Sequence, residues 1–295
     1  MQSKPLVTVI CMCYNHSAYV IESLNSVLNQ TYPNIELIIA DDASIDNSKD
    51  IIENWLMQYP EIPFVSNLEN IGNNKTFNKA FMLSKGDYFI DLAADDVLTP
   101  DCIEKQINTF LSSEYENIGM VYGNAELISI DGNHLSYYYN IDAAYKATPP
   151  PPSGDIYCSV IGYRNYICSV SSMLKRETFI ALNGYDEKLA FEDMDYWFRC
   201  SRDYNIVFID AILVKKRVIP NSLGRVFYKK LNPFTNKLNH TVLLVIKKAV
   251  KMNKTKEENR ELLNRIYLEM DKAMRTLNLP LLLKYIPMAF KMRFS

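Results

Sequence analysis

With 295 residues, 48% of them hydrophobic, the chain can bury one large core or two small ones without disulfide or metal staples. Its six cysteines, Cys11, Cys13, Cys102, Cys158, Cys168 and Cys200, form no CxxC pair and no cluster with histidine, which argues against a zinc site or disulfide framework and for reduced core thiols. The formal charge of −2 conceals a division: residues 1–214 carry 13 basic and 29 acidic groups, a balance of −16, and residues 215–295 carry 19 basic and 5 acidic, a balance of +14.

In chain order, short apolar runs alternate with helical patterns: Leu6 to Cys13, Ala18 to Asn29, Ile35 to Ala40, Ser48 to Tyr59, Phe64 to Ser66, Thr76 to Ser84 and Tyr88 to Ala93. Such alternation predicts right-handed crossovers and an α/β fold whose mostly parallel, nucleotide-binding type of sheet carries helices on both faces. A helix follows at Asp101 to Leu111, then a strand at Gly119 to Ile130 ending in the turn Asp131-Gly132-Asn133. The Tyr-rich stretch from Tyr137 to Pro152 reads as a mobile loop on the acceptor side. A strand near Val170 to Lys175, a helix at Glu177 to Leu182, a helix opening at Glu192-Asp193 and a strand pair over 206–218 complete the body. Beyond Asn221 the period is helical, interrupted at Pro233, Pro280 and Pro287. The segment Leu277 to Phe294, with Lys284, Lys291 and Arg293, suits an interfacial helix and an ordinary capping helix equally.

The acidic body and basic tail suggest a catalytic region, 1–218, with a surface-binding appendage, 219–295, whose expected partner is an anionic membrane surface. Nucleic acid is not expected, because the basic residues lack interleaved stacking aromatics. The first sixteen residues hold one lysine, Lys4, and an apolar run broken by Tyr14 and Asn15, unlike a signal peptide or membrane span. The expected location is cytoplasmic, peripheral on the inner face of the plasma membrane.

In open α/β sheets ligands bind beyond the carboxyl ends of the strands, where this chain has Tyr14, Asn15, Asp41, Asp42, Asp95 and Asp96. Asp41-Asp42, before Ala43-Ser44-Ile45-Asp46, suits hydrogen bonding to a base or ribose, and equally a turn with a helix cap. Asp95-Asp96 offers the hard oxygens that Mg or Mn takes when it also keeps phosphate oxygens as ligands, while capping there falls to Thr99 or Asp101. Glu192, Asp193 and Asp195 stand in the first turn of a helix, where the dipole favours acids and where a carboxylate at a cleft can also serve as a general base. His16 is read as a local cap, with nucleotide contact as the alternative. His134 and His240 have no partners that suggest a metal or a triad.

Taken in order, these motifs resemble the family 2 glycosyltransferases of the GT-A fold. They are Ile10-Cys11-Met12-Cys13-Tyr14-Asn15, Gln30-Thr31-Tyr32, Glu36 to Ser44, Asn70-Ile71-Gly72, Lys85-Gly86-Asp87-Tyr88, Leu92 to Asp96 and Phe191-Glu192-Asp193, and the likeness spans about residues 5–215. The resemblance implies a catalytic domain over 1–218, with a nucleotide-sugar half at 1–100 and an acceptor half at 101–218. It implies that Tyr14 packs on the nucleobase, that Asp42 with Asp41 binds base or ribose, that Asp95 is the metal-binding last aspartate of the family's DxD element, and that Asp193 is the catalytic base. Asn15, Asn70, Gly72, Lys75, Asp96 and Glu192 fall on the substrate side. Two positions depart from the pattern: Ala93 stands for the first aspartate of DxD, and Phe77 for a common arginine, leaving Lys75 or Lys79 to supply charge near the diphosphate.

The resemblance, with the basic tail for the acceptor, implies an inverting transfer from a UDP- or dTDP-sugar, aided by divalent Mn or Mg, to a hydroxyl of a saccharide or lipid-linked saccharide in surface polysaccharide synthesis. Cys13-Tyr14-Asn15-His16 lacks the glycines a triphosphate-gripping nucleotidyltransferase needs after strand one. A non-catalytic nucleotide- or saccharide-binding scaffold is the alternative that Ala93 motivates.

Overall fold

The computed structural model describes residues 4–163, 167–219 and 226–294. Its elements are β1 (Val7–Cys13), α1 (Val20–Leu28), β2 (Ile35–Asp41), α2 (Ser48–Leu56), β3 (Phe64–Ser66), α3 (Asn73–Phe81), β4 (Tyr88–Ala93), β5 (Val97–Leu98), α4 (Cys102–Ser112), β6 (Ile118–Ile128), β7 (His134–Tyr137), α5 (Tyr157–Ile161), β8 (Met173–Lys175), α6 (Arg176–Ala181), α7 (Asp193–Asp203), β9 (Asn205–Arg217), α8 (Pro233–Met252), α9 (Lys256–Arg275) and α10 (Leu279–Phe294). They divide into two units: Met1–Gly154, Ile167–Tyr185 and Asn205–Val218 form the first, and Asp155–Tyr166, Asp186–Tyr204 and Ile219–Ser295 the second.

The first unit holds one mixed sheet in the order β3-β2-β1-β4-β8-β6-β9-β5, with β7 on β6. Val7 pairs in parallel with Ile35 of β2 and with Tyr88 of β4, so β1 is central and all seven of its residues are buried. That explains an apolar run without alternation, as expected of a strand covered on both faces. Val7, Val9, Cys11 and Cys13 pack with Val20, Leu24 and Val27 of α1 and with Ile52 and Trp55 of α2. An aromatic cluster links α3, β4 and α6: the Phe81–Phe179 and Phe89–Phe179 ring centroids lie 4.6 and 4.8 Å apart. Each such buried side chain contributes about 1.5–3 kcal/mol. Phe77 belongs to this cluster and is fully buried, so its position on α3 faces the core.

Strands β1, β2 and β3 run outward in one direction and β4 returns to the other side of β1, which puts the reversal of strand order between β1 and β4. The expected α/β sheet with flanking helices is present, parallel through these four strands. Beyond β4, β8 enters antiparallel to β4 and β6, while β6 and β9 pair in parallel.

Two expectations for this unit change. Residues 206–218 are one strand, not a pair: the register of β9 against β6 shifts around Gly123 and Asn124. Asp210 stands at the bulge and accepts the Ala147 N–H at 2.8 Å. A Cβ on Gly123 would lie 2.7 Å from the Leu213 side chain and 2.9 Å from Ala211 O, so the irregular pairing needs glycine there. The Tyr-rich stretch is tied to the sheet: the Tyr138 N–H donates to Ala125 O at 2.8 Å, and Tyr139 exchanges two 2.9 Å bonds with the Asn124 amide. The Tyr139 ring packs edge-on to Phe208 at 5.6 Å.

In the second unit the Lys248 ammonium is bonded to both Asp186 and Asp195 at 2.6 Å, and Arg199 joins Asp195 at 2.8 Å. The prolines do not interrupt helices. Pro233 opens α8 behind the Asn232 cap, the Asn278 side chain accepts the Leu281 N–H at 3.1 Å over the turn that holds Pro280, and Pro287 is accommodated inside α10. A first-turn proline lacks only an N–H that would have no helical partner. Among the described residues no helix is long and apolar enough to cross a membrane.

Candidate functional site

The reversal of strand order brings the loop after β1 beside the loops after β2 and β4. The Asp42 N–H donates to Cys13 O at 3.0 Å and the Ala94 N–H to Met12 O at 2.9 Å. Tyr14 leaves β1 as an exposed residue, 42% accessible. Asn15 takes a left-handed conformation, φ 61°, which asparagine tolerates better than most residues. From it the Oδ1 accepts the Ile45 N–H at 2.8 Å and the N–H donates to Ser44 Oγ at 2.9 Å.

The two aspartates that end β2 do different things. Asp41, 1% exposed, accepts the Ser44 N–H at 3.0 Å and the Ser44 hydroxyl at 2.5 Å, and so holds the turn that follows β2. Asp42, only 4% exposed, accepts from the Ile71 and Gly72 N–H groups at 2.9 Å, from Thr76 Oγ1 at 2.8 Å and from Asn67 Nδ2 at 3.1 Å. Three of these bonds fall on Oδ1 and one on Oδ2, so Asp42 fixes the loop that carries Asn70 and Gly72 mainly through Oδ1. Gly72 sits at φ 92° with open space around its missing Cβ, so its backbone conformation is what calls for glycine. Asn70 and Lys75 are exposed, and Lys79 Nζ bonds Asn67 Oδ1 at 2.9 Å, coupling a cation to the Asp42 cluster.

Asp46 ties the same loops together, accepting from the Ser17 N–H at 3.0 Å and from the Ser48 N–H at 2.9 Å. Burial acts to raise its carboxyl, but the hydrogen bonds from Ser48 and Ser17 outweigh it and bring it down to about 2. The nearby thiols are packing groups: burial pushes Cys13 up to about 11 and Cys11 higher still, so both are protonated at neutral pH.

Asp95 and Asp96 also part company. Asp96 is 3% exposed and accepts the Arg217 N–H at 2.9 Å. Burial first, and then the Asp95 charge, push its carboxyl up to about 8 against the pull of Lys216 and Arg217. Turned inward, it fastens the β4–β5 turn to β9 and offers nothing to a ligand directly. Asp95 stays partly exposed, and its Oδ1 lies 3.8 Å from His16 Nε2, while His16 Nδ1 is buried without a hydrogen-bond partner.

Arg217 completes the support. Its Nε donates to Asp95 O at 3.1 Å, its Nη1 to Ser129 O at 3.1 Å and Ile130 O at 3.0 Å, and its Nη2 to Glu22 at 2.6 Å. The guanidinium lies 4.6 Å from the Tyr19 ring centroid. His16, Arg217 and Glu22 were not singled out for these roles by sequence. His16 read as a cap, and the arginine's partners lie far from it along the chain.

A divalent ion fits this corner only in part. Asp95 supplies hard oxygen, and the imidazole nitrogen of His16 shifts the preference from Mg toward transition metals such as Mn. Among the described residues no three His, Cys, Asp or Glu side chains gather into a cage. The donor set thus suits an ion that completes its coordination on phosphate oxygens. A cavity of about 810 Å³ opens elsewhere, lined by Lys4, Asp87, Tyr88 and Arg176 at the amino end of β1 and β4. Chemistry and topology, not cavity size, single out the opposite end of the strands.

In the second unit Glu192 precedes α7 without a side-chain capping bond and Asp193 is the first helical residue, with Asp193 Oδ1 accepting the Met194 N–H at 2.6 Å. Asp195 is turned into the ion-paired interior.

Residues 8–170 match the family described as Glycosyl transferase family 2. An uncharacterized glycosyltransferase of Rickettsia felis is 31% identical over 72% of this chain, which spans 34% of that protein's length. One from Methanocaldococcus jannaschii is 28% identical over 80% of each chain. Among solved structures, a mannosyltransferase from Pyrobaculum calidifontis in complex with GDP-Man and Mn2+ superposes with a TM-score of 0.63 at 16% identity, covering 98% of this chain and 76% of its own. TarS of S. aureus in complex with UDP-GlcNAc gives 0.64 at 14% identity, covering 91% and 72%. The fold is that of the GT-A glycosyltransferases. Within that class, the chain belongs to glycosyl transferase family 2.

Proposed function

We infer that the chain transfers one sugar from a UDP- or dTDP-sugar to an acceptor hydroxyl with inversion at the anomeric carbon. Its acceptor is a lipid-linked saccharide in surface polysaccharide synthesis, met at the inner face of the plasma membrane. The observation that carries this reading is the Asp95–His16 pair beside exposed Tyr14, at the strand-order reversal of a family 2 fold. Support for the donor class comes from the GDP-Man and UDP-GlcNAc held by the two structural neighbours, and support for the metal from the Mn2+ held by one of them.

Tyr14 stacks on the base, and Asp41, Asn15 and the Asn70–Gly72 loop receive base and ribose. Lys75 and Lys79 bring positive charge toward the diphosphate. Asp42 and Asp96 act through the backbone segments they hold. Asp95 and His16 would hold a divalent ion, which when bound supplies Lewis-acid charge to the nucleoside-diphosphate leaving group. His16 then takes up part of the role that Ala93 leaves vacant. Asp193 accepts the acceptor hydroxyl's proton as its oxygen attacks the anomeric carbon, and Glu192 helps bind the sugar substrates. With the nearby thiols buried and protonated, a single displacement is expected.

Calorimetric titration with UDP, dTDP and GDP, with and without Mn, tests the donor site. One nucleotide is expected to bind in a Mn-dependent way, with affinity reduced about 10- to 100-fold in Asp95→Ala and in His16→Ala, the range set by losing one charge-assisted contact. Asp193→Asn is expected to keep that binding and lose transfer. Absence of binding to all three would favour the scaffold reading, and retention of anomeric configuration in the product would overturn the single displacement.

A further inference from the structure

Helix α10 has two apolar faces. Leu281, Tyr285, Ala289 and Met292 are buried. On the other side Leu279, Leu283, Ile286, Phe290 and Phe294 are between 47% and 71% exposed. At 3.6 residues per turn these five fall within an arc of about 80°, forming a stripe about 24 Å long. Isolated exposed apolar residues are ordinary, but a contiguous stripe is not. On the same helical wheel Lys284 and Lys291 border one side of the stripe and Arg293 the other, and the helix carries no Asp or Glu. Beside the Phe294 end lies a cavity of about 370 Å³ lined by Lys256, Arg260, Leu263, Met292, Arg293 and Phe294. Arg260 there is also 3.6 Å from Glu257 and 3.8 Å from Glu261. At the other end, burial and then Lys284 and Lys247 lower His240, which marks a further concentration of positive charge on the α8 side.

We propose that this stripe is a docking face for an anionic phospholipid surface, with Leu279, Leu283, Ile286, Phe290 and Phe294 entering the acyl boundary and the flanking cations meeting phosphate headgroups. Charge selects this occupant. A symmetric second copy would set Lys284, Lys291 and Arg293 against the same cations, with no acidic residue on the helix to answer them. Apolar side chains along one line with cations on both margins is the pattern of a helix that lies in the membrane interface. By placing the enzyme beside a lipid-linked acceptor the inference deepens the proposed function and rests on it. Vesicle binding is measured without nucleotide or sugar, however, so either reading can fail alone.

The test is flotation of the full chain with vesicles of phosphatidylcholine alone or mixed equally with phosphatidylglycerol. At about 1 kcal/mol per cation near the surface, Lys284 and Arg293 give on the order of 30-fold stronger partitioning onto the anionic vesicles, falling as salt rises. The double variant Leu283→Glu/Phe290→Glu is expected to lose at least about 10-fold in binding, and Lys284→Glu/Lys291→Glu to lose the preference for anionic lipid. Both change exposed positions, and an unchanged far-UV circular dichroism spectrum and urea midpoint confirm that each variant is folded. Failure of the native chain to float with anionic vesicles overturns the proposal, as does undiminished flotation of the Leu283/Phe290 variant. A dimer by light scattering that this variant splits, with no vesicle binding, would overturn it in favour of a second copy.

Discussion

Exchanging Asp42 for Asn preserves the shape of the side chain and replaces one oxygen by an NH2 group. Its Oδ1 receives three bonds, from Ile71, Thr76 and Asn67, and Oδ2 receives one, from the Gly72 N–H. The least damaging orientation puts the amide nitrogen at the Oδ2 position, facing the Gly72 N–H, donor against donor. Losing one bond to a charged acceptor costs about 1.5–3 kcal/mol, and leaving a buried N–H without a partner adds about 1–3 kcal/mol. Allowing for relaxation of the loop, Asp42→Asn is expected to lower stability by about 2–4 kcal/mol. Urea unfolding followed by the fluorescence of Trp55 and Trp197 reads this directly. With a slope of about 3 kcal/mol per molar, the midpoint falls by about 1 M. An unchanged midpoint with nucleotide binding abolished would refute the reasoning, because a carboxylate that serves a ligand and not its own loop gives that pattern.

Two further outcomes follow from the same loops. Arg217→Met leaves the carbonyls of Asp95, Ser129 and Ile130 without their guanidinium donor, and is expected to cost about 3–5 kcal/mol in urea unfolding. Arg217→Lys should recover part of that and part of the Mn-dependent nucleotide affinity; if lysine is no better than methionine, the fork geometry is irrelevant. Asp46, held at about 2 when folded against an ordinary 3.8, binds fewer protons folded than unfolded, so its contribution is complete above about pH 4 and is lost as pH falls toward 2. The urea-midpoint difference between native protein and Asp46→Asn is expected at pH 6 and to shrink near pH 2; a constant difference would refute the depression.

Much of the architecture was legible as period. The runs of β1 to β4 and the helices between them stand within a few residues of where the pattern puts them, because a strand covered on both faces reads as continuous apolar sequence. Legibility ended where direction mattered. Adjacent aspartates look alike in sequence, but Asp41 holds the neighbouring Ser44 while Asp42 holds N–H groups at Ile71 and Gly72 about 30 residues away. His16 follows a strand as a cap would, and nothing local reveals Asp95 across the strand reversal. The bulge that keeps β9 whole is a register shift against Gly123 and Asn124 of β6, strands about 85 residues apart in sequence, and no local pattern announces it. Pro233 was a helix start in a position read as an interruption, since a first-turn proline costs the helix nothing it was using.

The bonds of Arg217 also set an order in time. The Asp95 turn is made early on the ribosome, but the guanidinium that holds Asp95 O lies 122 residues later, and its bond to Glu22 closes a separation of 195. At 5–20 residues per second of synthesis, the turn waits roughly 6–24 s for its anchor. During that interval the nascent chain carries the carboxylate that would grip an ion without the arginine that aims it. Fixing of the Asp95 turn is therefore an event of late synthesis, and a chain halted before β9 emerges would have most of its sheet without the anchor of that turn.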